Sequence, residues 1–184
     1  MYIIFEHLII FFQISLICLF LSLSGFILKK TVLNLNDIKN FEENGIFGFL
    51  FIGFVGLVVN FLYPLSIQIN NILFIIIVIS AYKLKFFNQS QTKLLKCTFY
   101  SSFICYLFFI YANVNTPDAL LYHLPYSKIV NEHKIIIGLS NLHSRFGHIS
   151  IFQYISSFFN NSLFGTNGIL IPLGLLVSFF FIYT

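Results

Sequence analysis

Long apolar runs separated by short polar connectors set the pattern of this chain, and the runs have the length of membrane helices. Leu8 to Leu28 is the first. At about 1.5 Å per residue it reaches across a hydrocarbon core of roughly 30 Å. It begins behind Glu6 and His7 and ends at Lys29-Lys30, without the basic leader and small-residue cleavage site of a signal peptide, so a retained transmembrane helix is expected. A polar connector, Lys29 to Gly45, leads to a second span over 46–62. Pro64 breaks the chain, a third span covers 67–82, and a fourth runs over 94–112 behind the basic connector Lys83 to Lys93. Along the helix of the second span and the residue before it, Gly45, Gly48, Gly53 and Gly56 fall in an arc of roughly 140°, a smooth strip for close helix approach.

Beyond the fourth span the pattern changes. Thr116-Pro117-Asp118 carries the signals of a helix start: a capping Thr, Pro at the first position and an acid favoured by the macrodipole. From Tyr126 to Ile136, Ile129, Val130 and His133 recur at helical spacing opposite Lys128, Asn131 and Glu132, as in a helix lying in the membrane interface. Ile149 to Phe164 places Ser150, Gln153, Ser157, Asn160 and Asn161 three and four apart, a stripe suited to a second interfacial helix or a span facing a wet cavity. The 15 residues from Ile169 to Tyr183 are apolar-rich, short of the about 20 a crossing takes. The expectation is a chain that stops inside a transmembrane helix and continues in the natural protein.

Composition narrows the class. The 184 residues are 58% hydrophobic and 9% charged, with a mean hydropathy of +0.91, well outside the range of soluble domains. The expected fold is therefore an all-α membrane protein, a polytopic transmembrane helix bundle with interfacial amphipathic helices in an outer loop. Its parts are four spans in 1–112, an extracytoplasmic loop over 113–164, and the start of a further span over 165–184. The 26 Phe are read as lipid contact and codon bias. Cys18, Cys97 and Cys105 have neither metal nor redox spacing and are read as small hydrophobic packers.

The net charge of +4 does not point to nucleic acid, because the ten basic residues never form a block. They set topology instead. Seven of the ten (Lys29, Lys30, Lys39, Lys83, Lys85, Lys93 and Lys96) lie in or beside the first and third connectors, which puts those connectors in the cytoplasm. Four crossings then deliver residues 113–148 to the outer face.

Most of the reactive groups gather in that outer segment, which holds four of the five His together with Asp118, Glu132 and Arg145. Asp118 and Tyr122 share a helix face, with His123 beside them. A carboxylate at the membrane boundary can serve as a general base toward an acceptor hydroxyl, or simply cap a helix. The His spacings 123, 133, 143 and 148 do not make a zinc site. Arg145 with Lys134 could hold a phosphate, or snorkel to the headgroups.

The stretch "PDALLYHLPYSKIVNEHKIIIGLSNLHSRFGHISIFQYISSFF", residues 117–159, resembles the first outer loop of a family of bacterial multi-pass membrane proteins with an Asp ahead of "YHLP" and then "GL-NLH-RFG". Those proteins are similar to the GT-C superfamily of glycosyltransferases, which use polyprenyl-phosphate sugars. The resemblance implies a bacterial inner-membrane enzyme that moves a sugar, with inversion, from a lipid-linked donor to a cell-surface glycan or lipid. Asp118 would be its base, and Tyr122, His123, His143 and Arg145 would bind substrate. Two departures stand beside it. The acid-bearing loop follows the fourth span rather than the first, and Ala119, Asn113 and Asn115 supply no second carboxylate, so a divalent cation is left open rather than implied. A transporter or flippase-like protein, or a non-catalytic assembly subunit, remain the alternatives. Membrane lipid is an expected partner under each, nucleic acid under none, and no oligomeric state follows from the sequence.

Overall fold

A computed structural model describes residues 2–35, 40–88, 91–111, 123–142, 144–147 and 150–184. Among them are seven α-helices and three 3₁₀ turns, and no strand: the protein is an all-α membrane helix bundle. The helices are α1 (Tyr2–Thr31), α2 (Phe41–Leu62), α3 (Ile67–Lys83), α4 (Gln91–Tyr111), α5 (Leu124–Glu132), α6 (Ile151–Phe159) and α7 (Asn167–Tyr183). Three helical segments, Phe5–Thr31, Phe41–Leu62 and Gln91–Ile110, are long and apolar enough to cross a membrane. α3 and α7 are apolar but have 17 residues each, about 25 Å of helix.

α1 is apolar nearly all round, which suits the centre of a bundle rather than its edge. It packs against α2, α3, α4 and α7, and Ile14, Ile17, Cys18 and Leu21 lose all exposure there. Its closest neighbour is α2, because glycines let the two backbones meet. A Cβ on Gly25 would sit 1.8 Å from the Asn44 carbonyl oxygen, and one on Gly48 1.8 Å from that of Leu21. Lipid tails are as apolar as Leu, so such helices associate by packing and hydrogen bonds, and small residues set how close they come.

The opposite faces are bare. Leu50, Phe54 and Phe61 on α2, Ile72, Ile75 and Ile79 on α3, and Phe99 and Phe103 on α4 are exposed, an apolar girdle that suits lipid and not water. Phe is nevertheless more than lipid contact in this fold. Phe20 stacks on Phe74 of α3 at 4.3 Å and meets Phe159 of α6 edge-on at 5.6 Å, so one ring joins three helices.

The first connector also differs from expectation. α1 continues through Lys29 to Thr31, and Lys29, 1% exposed, lies 3.1 Å from the Glu43 carboxylate in the first turn of α2. Lys29 near the end of one helix and Glu43 at the start of the next both complement the helix dipoles, and each shields the other from the apolar surroundings. Lys30 reaches across to the Leu84 carbonyl (2.9 Å), fastening the same end of the bundle to the turn after α3.

Candidate functional site

The polar segment after α4 rests on the bundle through α5 and α6. Pro125 sits in the first turn of α5, where its missing N–H costs nothing. The helix ends at Glu132, earlier than the amphipathic pattern predicts, because His133 turns extended (φ −131°, ψ 147°). His133 is therefore exposed rather than part of the apolar face, while Tyr126 and Val130 are buried and Ile129 is half-buried. α6 starts with a capping box: the Ser150 hydroxyl accepts from the Phe152 N–H (3.2 Å) and the Gln153 amide oxygen from the Ser150 N–H (3.1 Å).

Asparagines bolt these two helices to the bundle. Asn60, near the end of α2, donates from Nδ2 to the carbonyls of Val130 (3.2 Å) and His133 (3.0 Å), and its own carbonyl accepts from the Ile135 N–H (3.0 Å). Asn70 of α3 donates to the Leu65 and Ser157 carbonyls, both at 2.9 Å. Asn131 of α5 donates to the same two carbonyls and accepts from Asn160 Nδ2 at 3.0 Å. Two carbonyls shared by two amides thus knit α3, α5 and α6 into one platform. Removing Asn131 strips partners from buried groups, at about 1–3 kcal/mol. Asn131→Ala is accordingly expected to loosen α5, read as faster tryptic cleavage after the exposed Lys134. Cleavage at the wild-type rate would show that the other contacts suffice.

The predicted polar stripe on Ile149 to Phe164 is therefore turned toward protein. Gln153 and Ser157 are buried, and Ser157 Oγ donates to the Gln153 carbonyl at 2.7 Å with the Ser127 carbonyl 3.3 Å away. With nine residues, α6 is also too short to span a bilayer.

A second core lies under the platform, where Leu65, Tyr126, Val130, Leu139 and Tyr154 are buried together. Phe146 joins it, its ring 6.0 Å from that of Tyr126. Burial pushes both Tyr126 and Tyr154 phenols up, and the neighbouring Tyr154 raises Tyr126 further, so both stay neutral at ordinary pH and can donate hydrogen bonds but not act as bases. Gly138, at φ +86°, supplies the left-handed turn that brings the chain back toward α5.

Two cavities flank α5. One, about 290 Å³, lies between α2, α5, α6 and α7, with walls of Phe49, Phe152, Ile155, Leu170, Pro172 and Leu173 and with His123 at its edge. The other, about 530 Å³, opens between the start of α3, α5 and the start of α7, and its lining includes Gln68, Lys128, Asn131, Glu132, Asn160 and Thr166. Leu124 and Ile169 line both.

Of the residues singled out from sequence, His123 lies at the N-terminus of α5 beside the apolar cavity. Arg145 belongs to the 3₁₀ turn Ser144–Gly147, which the Phe146 contact sets against Tyr126. The turn that carries "SRFG" thus rests against α5 one residue beyond Pro125. Asp118, Tyr122 and His143 lie outside the described residues. Among the described residues no three His, Cys, Asp or Glu side chains converge as metal ligands. Sequence reasoning missed the amide platform, although Asn60 in an apolar run and Asn70 and Asn160 at the ends of others were visible signals.

No curated protein and no solved structure matches this chain. Residues 8–184 match the family described as Domain of unknown function (DUF8201), and the chain belongs to that family.

Proposed function

We propose that this protein is a glycosyltransferase similar to the GT-C superfamily, lodged as a multi-pass protein in the bacterial inner membrane with residues 113–148 outside the cytoplasm. It would move a sugar from a polyprenyl-phosphate carrier to a cell-surface glycan or lipid. The observation that carries this reading is the apolar cavity under His123, placed directly after a membrane-length helix and walled by α6 and α7. Such a cavity suits an isoprenoid chain, and His123 of the outer-loop pattern lies at its edge.

In that reaction Asp118 takes the proton of the acceptor hydroxyl as its oxygen attacks the anomeric carbon. The bond from that carbon to the carrier phosphate oxygen breaks, the configuration inverts, and the phosphate leaves with the electron pair. Arg145, with His123 or His143, stabilises the departing phosphate, and Tyr122 lies in the same substrate site. No step is routed through a metal ion.

The same cavity would serve a flippase-like carrier that moves a lipid-linked sugar without chemistry. One experiment separates the two. Membrane vesicles carrying the protein are given a radiolabelled polyprenyl-phosphate sugar mixture together with a cell-envelope lipid extract. Label passing covalently to a new acceptor is the expected result; label that crosses the membrane still attached to its carrier would replace the transferase with the carrier. A reporter fused after residue 118 tests the orientation and should be active only outside the cytoplasm.

A further inference from the structure

Just beyond α5 the chain turns an apolar corner outward. α5 ends at Glu132, so Ile136 and Ile137 leave its packed face: Ile136 is 45% exposed and Ile137 95%, and Leu142, on the far side of the turn, is 80% exposed. The corner is held on both sides. The Ile135 N–H donates to the Asn60 carbonyl at 3.0 Å, and Leu139 is buried in the second core. Gly138 turns the chain between these anchors at φ +86°, and the Asn141 N–H donates back to the Gly138 carbonyl at 2.9 Å. The exposure of Ile137 is thus built into the turn rather than left by a frayed end.

The Asn60 anchor also fixes the corner's depth. α2 has 22 residues, about 33 Å of helix, close to the roughly 30 Å of a hydrocarbon core. Asn60 stands two residues before its end, beside Phe61 and Leu62, which are 61% and 69% exposed on the lipid-facing surface. Ile135 meets Asn60 at that level, and Ile137 lies at most about 7 Å further along the chain. That distance stays within the headgroup layer, roughly 5–8 Å thick on each side of the core. Lys134, exposed, precedes the isoleucines and adds the cation that suits lipid phosphates.

We infer that residues 135–142 form a membrane hook: Ile136, Ile137 and Leu142 insert among the lipids of the leaflet that α2 reaches with its C-terminus, and Lys134 lies against the phosphates. Apolar side chains this exposed are unfavourable in water, and the nearest apolar phase is the lipid that already covers Phe61 and Leu62. Because Asn60 binds both Val130 of α5 and the hook, seating the hook also sets the depth of α5 and of the apolar cavity beside it. The hook does not rest on the proposed reaction.

The test uses the whole protein in nanodiscs of phosphatidylethanolamine and phosphatidylglycerol, with a nitroxide label at Ile137→Cys and, for reference, at Phe61→Cys on the lipid-facing end of α2 and at Lys128→Cys on the polar face of α5. All three side chains are exposed, so the substitutions leave the packing alone, and the native Cys18, Cys97 and Cys105 are buried away from the reagent. Collisions with oxygen, which concentrates in lipid, and with a nickel chelate, which stays in water, give the depth of each label. The label at Ile137→Cys is expected to meet oxygen about as often as the one at Phe61→Cys, and nickel several-fold less often than the one at Lys128→Cys. Nickel collisions as frequent as at Lys128→Cys would put the corner in water and overturn the hook. Rare collisions with both reagents would overturn it as well, since the corner would then be covered by protein, such as a second copy of the chain.

Discussion

Asp118→Asn is expected to lower sugar transfer by about 10²- to 10⁴-fold, the range that a positioned general base contributes. Asparagine keeps the size and the hydrogen-bonding capacity of the carboxylate but cannot accept the acceptor's proton, so binding and membrane insertion should survive while chemistry stops. Two measurements on one preparation separate those effects. Transfer from the polyprenyl-phosphate donor should fall by the stated factor, and the midpoint of unfolding in sodium dodecyl sulfate titrations should stay at the wild-type value. A helix-capping role for Asp118 gives the reverse pattern: a stability loss of about 1 kcal/mol and a transfer rate that follows the amount of folded protein. Transfer at the normal rate would take Asp118 out of the mechanism.

How much of this was visible beforehand depends on how local the physics is. The first three apolar runs lie within α1, α2 and α3 and the fourth, as far as Tyr111, within α4, because run length and the absence of internal charge are local properties. The glycine strip was legible for the same reason, and the structure divides it between partners. Gly45 meets the Phe179 ring of α7, Gly48 the Leu21 backbone of α1, and Gly53 and Gly56 face Ile151 and Tyr154 of α6 and its entry. Lys29 was misread as a connector residue, since burial of its ammonium depends on Glu43 arriving from the next helix. Asn131 was misplaced too: its spacing puts it among the polar residues of α5, yet its partners are Leu65, 66 positions earlier, and Ser157 and Asn160, 26 and 29 positions later. The paired cavities were beyond reach, because their walls come from stretches as distant as Phe49 and Leu173. No window of sequence shows that a helix of nine residues will stand between two chambers.

That wall depends on how α2 is seated, and Gly48→Val should unseat it with the largest stability loss of any single substitution considered. The new Cβ would lie 1.8 Å from the Leu21 carbonyl oxygen and 2.9 Å from the Gly25 nitrogen, both main-chain atoms that cannot swing aside. To regain ordinary contact α1 and α2 must part by about 1.5 Å, which forfeits dispersion along the whole seam, Phe49 and Ile52 included. A loss of at least about 3 kcal/mol is expected, at the top of the range for overpacking, read as an earlier midpoint of unfolding in sodium dodecyl sulfate titrations. Gly56→Ala provides the contrast: its Cβ would meet Tyr154 and Leu65 side-chain carbons at 3.3 and 3.4 Å, so a shift of a few tenths of an ångström accommodates it and the loss should stay under about 1 kcal/mol. Equal midpoints for the two variants would mean that the α1–α2 seam is wider than the glycine geometry requires. Because Phe49, the next residue, walls the apolar cavity and Asn60 holds α5 from the same helix, Gly48→Val should also loosen α5, read as faster tryptic cleavage after Lys134.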